Sequence, residues 1–411
     1  MAVREVDHLL IGGGLAAANC ARTLRDEGAD GSILLVGREP EAPYNRPPLS
    51  KGYLRGTESR EQALFRPAEW WDEQGIDLLT RTSVMKLDAD SRTATLSTKE
   101  EVRFDKALLA TGANVRRLRV DGSDLDGIHY LRAFGNADAI RADVEGAERV
   151  VMIGGSYIGC ECAASIASAF GAKCTILMQE DVTFEGPFGT EVGRFFQGVL
   201  TEHGVEIHGG DAIERFEGSD GRVTRVISKG GLELECDAVV VGVGVMPDVM
   251  LARGVGLEIG ERGGVLCSSR LETSAPGIYA AGDMCEYDSA AHGGALRVEH
   301  WDVAFNHGRT AALNMLGRDI AHETVPYFYS RLADWAEEME YVGPGTGEPV
   351  IRGSLADGDF TAFYVADSGA VTAALTVGRS ADLDEARRLI LDGSPVDASS
   401  LADESTELAS V

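Results

Sequence analysis

The sequence predicts an α/β chain: two doubly wound domains, each built on a parallel sheet, followed by a C-terminal α+β domain with an antiparallel sheet. Three observations predict it. A strand, a glycine turn, a helix and a second strand follow one another from Val6 to Glu39. The same order returns from Arg149 to Met178. Beyond Pro326, aromatic and β-branched segments (Tyr327-Phe328-Tyr329, Phe360–Val365, Val371–Val377) read as short strands, with a closing helix over Leu383–Leu391.

The opening unit is the most explicit. The apolar run Val6–Ile11 stops at Gly12-Gly13-Gly14, and Ala17, Cys20, Ala21 and Leu24 then mark one face of a helix. This is the Rossmann-type order for a dinucleotide. Gly12 permits the tight turn, Gly14 admits a pyrophosphate to the backbone, and Ala17, in place of a third glycine, keeps helix and strand close. Amides at the helix start, Leu15 and Ala16 included, point at the phosphates. Ser32–Val36 supplies the second strand, after which Glu39 is the candidate for the adenosine ribose and Arg38 for the adenine face. Glycines of this kind also occur for packing alone; the complete unit with its trailing acid favours a nucleotide.

Length and composition bound the rest. A chain of 411 residues exceeds one ordinary core, and 44% hydrophobic with 25% charged residues is a globular balance. The longest apolar runs, such as Ala238–Val245, are too short to cross a bilayer, and no signal-peptide pattern opens the chain, which predicts a cytoplasmic protein. Seven scattered cysteines without a C-x-x-C give no metal site and no simple redox disulfide. A net charge of −28 argues against nucleic acid or an anionic membrane as partner.

Between the two glycine units, the proline-rich stretch Pro40–Lys51 excludes helix and central strand and predicts an extended, rigid segment that presents Arg46 and Lys51. Strands are expected at Ile76–Leu79, Ser83–Leu87 (which includes Val84) and Arg92–Leu96, and Lys106–Leu109 ends in the small-residue turn Ala110-Thr111-Gly112. In the second unit, Gly154-Gly155-Ser156-Tyr157-Ile158-Gly159 leads into a helix. Ser156 replaces the middle glycine, and Met178 stands where a ribose acid belongs, with Glu180 two residues on. Two readings stand: a second nucleotide site, or a duplicate that binds nothing. Further on, Ala238–Val243 runs into Gly244, Gly277–Asp283 is a strand ending in a glycine-acid turn at Gly282-Asp283, and Glu299 opens a helix to Leu316. The acidic residues Ser394–Val411 are expected to be disordered.

Taken together, GGGLAA, PYNRPPLSK, ATGA, GGSYIG, GVMP, YAAGD and VEHWDVAFNHG resemble the oxygenase-coupled NADH-dependent ferredoxin reductases and the closely similar apoptosis-inducing factors, over residues 6 to about 380. The resemblance implies an FAD domain in two pieces (1–116 and 245–325), an inserted NAD domain (117–244) and a C-terminal domain (326–411). It places Lys51 and Glu161 as an ion pair beside flavin N5, where hydride arrives. There a buried ammonium favours the reduced ring and the carboxylate makes the lysine tolerable in a dry site; a solvated helix acid is the plain alternative for Glu161. Asp283 is implied at the ribityl chain, and Val84, Ala110, Thr111, Gly112 and Gly282 along the cofactor. Glu299, His300 and Trp301 are implied at a helix start facing the pyrimidine end of the ring. Three positions depart from the pattern: Tyr329-Ser330-Arg331 replaces a Trp-Ser-Asp, His300 is similar to the apoptosis-inducing branch, and Met178 leaves the coenzyme open.

The function implied is hydride transfer from NAD(P)H to FAD, then single electrons to a [2Fe–2S] ferredoxin serving a cytochrome P450 or a Rieske oxygenase, by a monomer or weak homodimer. An apoptosis-inducing-factor-like signalling flavoprotein, an NADH oxidase and a rubredoxin reductase are the alternatives. NADH is expected over NADPH, because Met178-Gln179-Glu180-Asp181 offers no cation for a 2′-phosphate. Ferredoxins are generally acidic, so docking against a charge of −28 needs a local basic patch; Arg116, Arg117, Arg119, Arg297, Arg309, Arg331 and Arg379 are the candidates.

Overall fold

The computed structural model describes residues 3–289 and 291–411. By contacts the chain forms two compact units: 1–46, 61–114 and 245–326 make one, and 47–60, 115–244 and 327–411 make the other. By contacts, 47–60 and 327–411 both pack with the second glycine unit.

In the first unit, the strands Ile76–Leu79, Ile33–Val36, Arg4–Ile11 and Glu101–Leu109 lie side by side in that order, all parallel. The strand Glu101–Leu109 has two partners along its other edge, within the same sheet. Its first half pairs antiparallel with Thr93–Leu96, and its second half pairs parallel with Ile278–Ala280. Leu9, Leu10, Leu34, Leu35, Leu108 and Ala280 are fully buried, as the uninterrupted apolar runs demand of a sheet covered on both faces. Helix Leu15–Asp26 packs on helix Trp301–Met315 so closely that a Cβ at Gly308 would lie 2.3 Å from Ala16 O.

The second unit repeats the design with the parallel strands Glu206–His208, Lys173–Leu177, Arg149–Ile153, Ala238–Val241 and Ile128–Tyr130. It also holds the antiparallel sheet of the C-terminal segment, ordered Tyr327–Ser330, Met339–Val342, Val371–Val377, Asp359–Val365 and Val350–Ser354. Tyr157 and Phe188 of the glycine unit, backed by Phe184 and Phe196, meet Phe328 and Tyr341 of this sheet at ring separations from 5.1 to 6.3 Å. That aromatic cluster is why the two segments form one unit.

Three expectations are corrected. Pro47–Ser50 is a 3₁₀ turn and Gly52–Arg55 a short helix, because proline is tolerated in a first helical turn, where its missing N–H costs nothing. The second is the helix near the end of the first unit, which begins at Trp301 with His300 as its N-cap, so Glu299 lies outside it. Finally, the acidic tail is ordered: Ala398–Ala402 is helical, and Leu401 and Leu408 are buried. Composition concealed its anchor, the buried Arg352. Its guanidinium donates to the carbonyls of Asp403 (2.7 Å), Thr406 (3.0 Å), Leu401 (3.3 Å) and Glu404 (3.5 Å).

Candidate functional site

The glycine turn of the first unit is fixed by sterics. Gly12 has φ +125°, and a Cβ there would stand 2.1 Å from Ala110 O, so only glycine lets the turn pass the end of the neighbouring strand. Gly13 sits against Gly37, with its ideal Cβ 3.2 Å from Gly37 Cα. Gly14 differs: a Cβ there meets nothing within 4 Å. It is the N-cap of helix Leu15–Asp26, with no side chain capping the amides and no acid in the first turn. Space and free N–H groups at a helix start fit a pyrophosphate.

Around this turn the expected partners gather. Glu39 Oε1 accepts from Arg46 at 2.5 Å and Oε2 from the Tyr44 hydroxyl at 2.5 Å, so the carboxylate is held in place at the end of the second strand. Arg38 is exposed and donates to Asn114 Oδ1 at 2.8 Å, with Asp248 at 3.3 Å. The Thr111 hydroxyl donates to Asp248 O at 2.7 Å, and Asp248 N–H to Gly112 O at 2.8 Å, tying the small-residue turn to the returning chain. Thr82 N–H bonds Gly37 O at 2.9 Å, which brings the half-buried Val84 to the same end of the sheet.

The glycine-acid turn is held from behind. Gly282 N–H donates to His307 Nδ1 at 3.2 Å, which requires a neutral imidazole, and burial pushes the His307 pKa well down. Asp283 O accepts from Arg297 at 3.1 Å. Arg297 also pairs with Glu299 at 2.5 Å, which leaves that acid at the surface. Burial lowers His300 to about 4, so its ring is neutral at physiological pH. Trp301 is not plain core: its Nε1 donates to Asn45 Oδ1 at 2.9 Å, and its ring stacks on Phe305.

In the second unit, Gly154 (φ +107°) passes Gly242 O and Gly159 passes Gly154 O at distances that exclude any side chain. Ser156 caps helix Tyr157–Phe170 without a side-chain hydrogen bond, so here too the amides at the helix start, near Tyr157 and Ile158, are uncapped. Gly244 takes φ +87° and accepts from Arg116 N–H at 2.9 Å. Met178, expected at the ribose, is buried against the turn. It is 2% exposed, and a Cβ on Gly155 would lie 2.0 Å from its sulfur. The thioether is the floor of the turn, and Glu180 beyond it is exposed.

Lys51 and Glu161 come together. Lys51 Nζ lies 2.7 Å from Glu161 Oε1, and the carboxylate is 5% exposed. The solvated alternative for Glu161 is therefore excluded. Two hydroxyls complete the carboxylate: Ser330 donates to Oε1 and Ser50 to Oε2. Ser165, one helical turn after Glu161, donates to Ser50 O at 2.6 Å and pins the proline turn to the helix. Sequence reasoning missed both serines; the only signal was their place inside PYNRPPLSK and Tyr329-Ser330-Arg331. All seven cysteines are free and buried, and no acidic, histidine or cysteine cluster suited to a metal occurs among the described residues. Among the described residues, no helix is long and apolar enough to cross a membrane.

Comparison with known proteins agrees with this geometry. Residues 6–308 match the pyridine nucleotide-disulphide oxidoreductase family and residues 334–411 the reductase C-terminal family. The chain is 34% identical to the 5,5′-dehydrodivanillate O-demethylase ferredoxin reductase subunit of a Sphingobium species, covering 98% of this chain and 97% of that one. The ferredoxin reductase for the CYP199A2 system from Rhodopseudomonas palustris superposes with a TM-score of 0.92 at 31% identity, covering 98% and 99% of the two chains. The reductase of the covalent putidaredoxin reductase–putidaredoxin complex superposes at 0.91 with 32% identity, covering 98% and 97%. A family match over residues 6–308 and relatives matched end to end place this chain in the pyridine nucleotide-disulphide oxidoreductase family, among its ferredoxin reductases.

Proposed function

We propose that the protein is an FAD-dependent NADH:ferredoxin reductase whose acceptor is a [2Fe–2S] ferredoxin feeding an oxygenase of the cytochrome P450 or Rieske kind. Bound FAD supplies the step between carriers: it takes two electrons as a hydride and gives them up singly. The observation that carries the reading is the buried Lys51–Glu161 pair. An ion pair in a dry environment is a costly way to stabilise a fold, and replacing it by apolar residues is often neutral or better. Its presence here argues for chemistry at Lys51.

The remaining residues take roles that their surroundings suit. Gly14 and the amides of Leu15 and Ala16 bind the cofactor pyrophosphate, Glu39 the adenosine ribose, and Asp283 the ribityl chain. Lys51 places a positive charge where electrons arrive at the flavin. At the second turn, Ser156 and the helix amides take the NADH pyrophosphate. Glu180, not Met178, meets the ribose hydroxyls, because Met178 is buried beneath Gly155. An acid at that place repels a 2′-phosphate, so NADH is the coenzyme. The relatives support the acceptor: one is named as the reductase subunit of an O-demethylase, another as the reductase of a CYP system.

The test is a comparison of kcat/KM for NADH and NADPH in the parent and in Glu180→Arg, each with a ferredoxin as acceptor. The reading expects NADH preference in the parent and a narrowed preference in the variant. NADPH preference in the parent would overturn the coenzyme assignment.

A further inference from the structure

Three separate stretches of chain meet at Glu161. Its own helix, Tyr157–Phe170, begins at the second glycine turn. Ser50 ends the proline-rich 3₁₀ turn next to Lys51, and Ser330 ends the first strand of the C-terminal sheet. Both serines are buried, at 3% and 1% exposure, and each donates to a different oxygen of the one carboxylate. The placement of Ser330 is itself fixed. Two residues earlier on the same strand, Phe328 packs edge-on against Tyr157, one helical turn before Glu161. Ser50 is fixed through its carbonyl by Ser165.

A carboxylate with one ammonium partner neutralises most of that partner's charge. Hydroxyl donors on both oxygens change the balance, because they take up part of the negative charge and hold one rotamer, so that the ammonium is bound in place without being fully cancelled. We propose that Ser50 and Ser330 are positioning residues: through Glu161 they fix Lys51 and preserve its positive charge for the electron-accepting group beside it. This inference rests on the reading that Lys51 acts at the flavin. It also gives the C-terminal domain a part in hydride transfer, since it supplies Ser330.

The test is a double-mutant cycle in the FAD-loaded full chain, with Glu161→Gln, Ser330→Ala, Ser50→Ala, Ser330→Thr and the Glu161→Gln/Ser330→Ala pair. The readouts are the limiting rate of flavin reduction by NADH, KM for NADH, the midpoint potential of the bound flavin, and FAD content. Ser330→Ala and Ser50→Ala are each expected to slow reduction roughly tenfold, the scale of one hydrogen bond to a charged group. They should also lower the potential, with KM and FAD content near those of the parent. Ser330→Thr should restore both rate and potential, since it returns a hydroxyl. In the Glu161→Gln background Ser330→Ala should add little. A slow Glu161→Gln with an unchanged or fully additive Ser330→Ala would overturn the inference and leave the Lys51 reading intact. If Glu161→Gln leaves rate and potential at parent values, the Lys51 reading fails and takes the inference with it. A potential unmoved in both serine variants, with only thermal stability lost, would reduce the serines to packing.

Discussion

Behind the glycine-acid turn, Tyr287, His307 and His322 pack edge to face, with ring separations of 4.6, 5.2 and 4.5 Å. His322 shares a hydrogen bond with the Thr310 hydroxyl at 3.1 Å, and burial lowers its pKa to about 4 from an ordinary 6.5. The folded pKa is depressed, so the folded state keeps this ring neutral while the unfolded chain protonates it. Stability from this group is therefore complete above pH 6.5 and is lost as pH falls from 6.5 towards 4. A shift of this size is about 3 kcal/mol over the whole window and about 2 kcal/mol by pH 5. His307 is displaced downward as well, by burial and by the neighbouring His322, so its contribution has the same sign. Against a total stability of about 5–15 kcal/mol, the loss from His322 alone is a substantial share. The assay is urea unfolding of the holoprotein between pH 8 and 5, for the parent and for His322→Gln, which keeps a polar group for Thr310 but cannot titrate. The variant should lose about 2 kcal/mol less than the parent across that range, whatever its stability at pH 8. Parallel pH profiles would show that His322 does not stay neutral in the folded chain.

Other perturbations follow from the same structure. Truncation after Ala402 removes the Asp403, Glu404 and Thr406 carbonyls from the buried Arg352 guanidinium; it should cost about 3–5 kcal/mol in a thermal or urea melt, and an unchanged melt would mean that the tail contributes nothing. Gly14→Ala should leave the stability of the FAD-free chain near that of the parent, since its Cβ meets nothing within 4 Å, yet weaken FAD binding; equal affinities would move the pyrophosphate elsewhere. Gly12→Ala, with a Cβ 2.1 Å from Ala110 O, should give a destabilised, colourless protein. Met178→Glu buries a carboxylate under Gly155 and should lower the melting temperature without widening the NADH preference, whereas a wider preference with unchanged stability would return the ribose contact to residue 178.

Much of the fold was legible because strand–turn–helix punctuation is local. Gly12 and Gly154 announce their turns in the sequence, and the structure shows the carbonyls, Ala110 O and Gly242 O, that exclude a side chain. The pairing of Lys51 with Glu161 was legible only through family resemblance, since nothing local ties two residues so far apart in sequence. Ser50 and Ser330 were illegible for the same reason: a serine carries no signal of which distant carboxylate it will meet. The tail was misread because its composition is that of a disordered segment, while its order depends on Arg352, a single buried cation nearly fifty residues upstream. The direction of Met178 was not legible, because the sequence gives a residue's distance from the strand end but not which way its side chain turns, and here it turns in beneath Gly155. The basic residues considered for docking are also partly spent: Arg297 pairs with Glu299 at 2.5 Å and Arg379 with Glu404 at 2.7 Å.

The most direct test of the central claim is anaerobic stopped-flow mixing of the yellow holoprotein with NADH, followed by cytochrome c reduction with and without an added [2Fe–2S] ferredoxin. A ferredoxin reductase built on Lys51 and Glu161 bleaches its flavin within a turnover and reduces cytochrome c rapidly only when ferredoxin is present. Slow bleaching into a long-lived charge-transfer complex, or a cytochrome c rate indifferent to ferredoxin, would contradict the account.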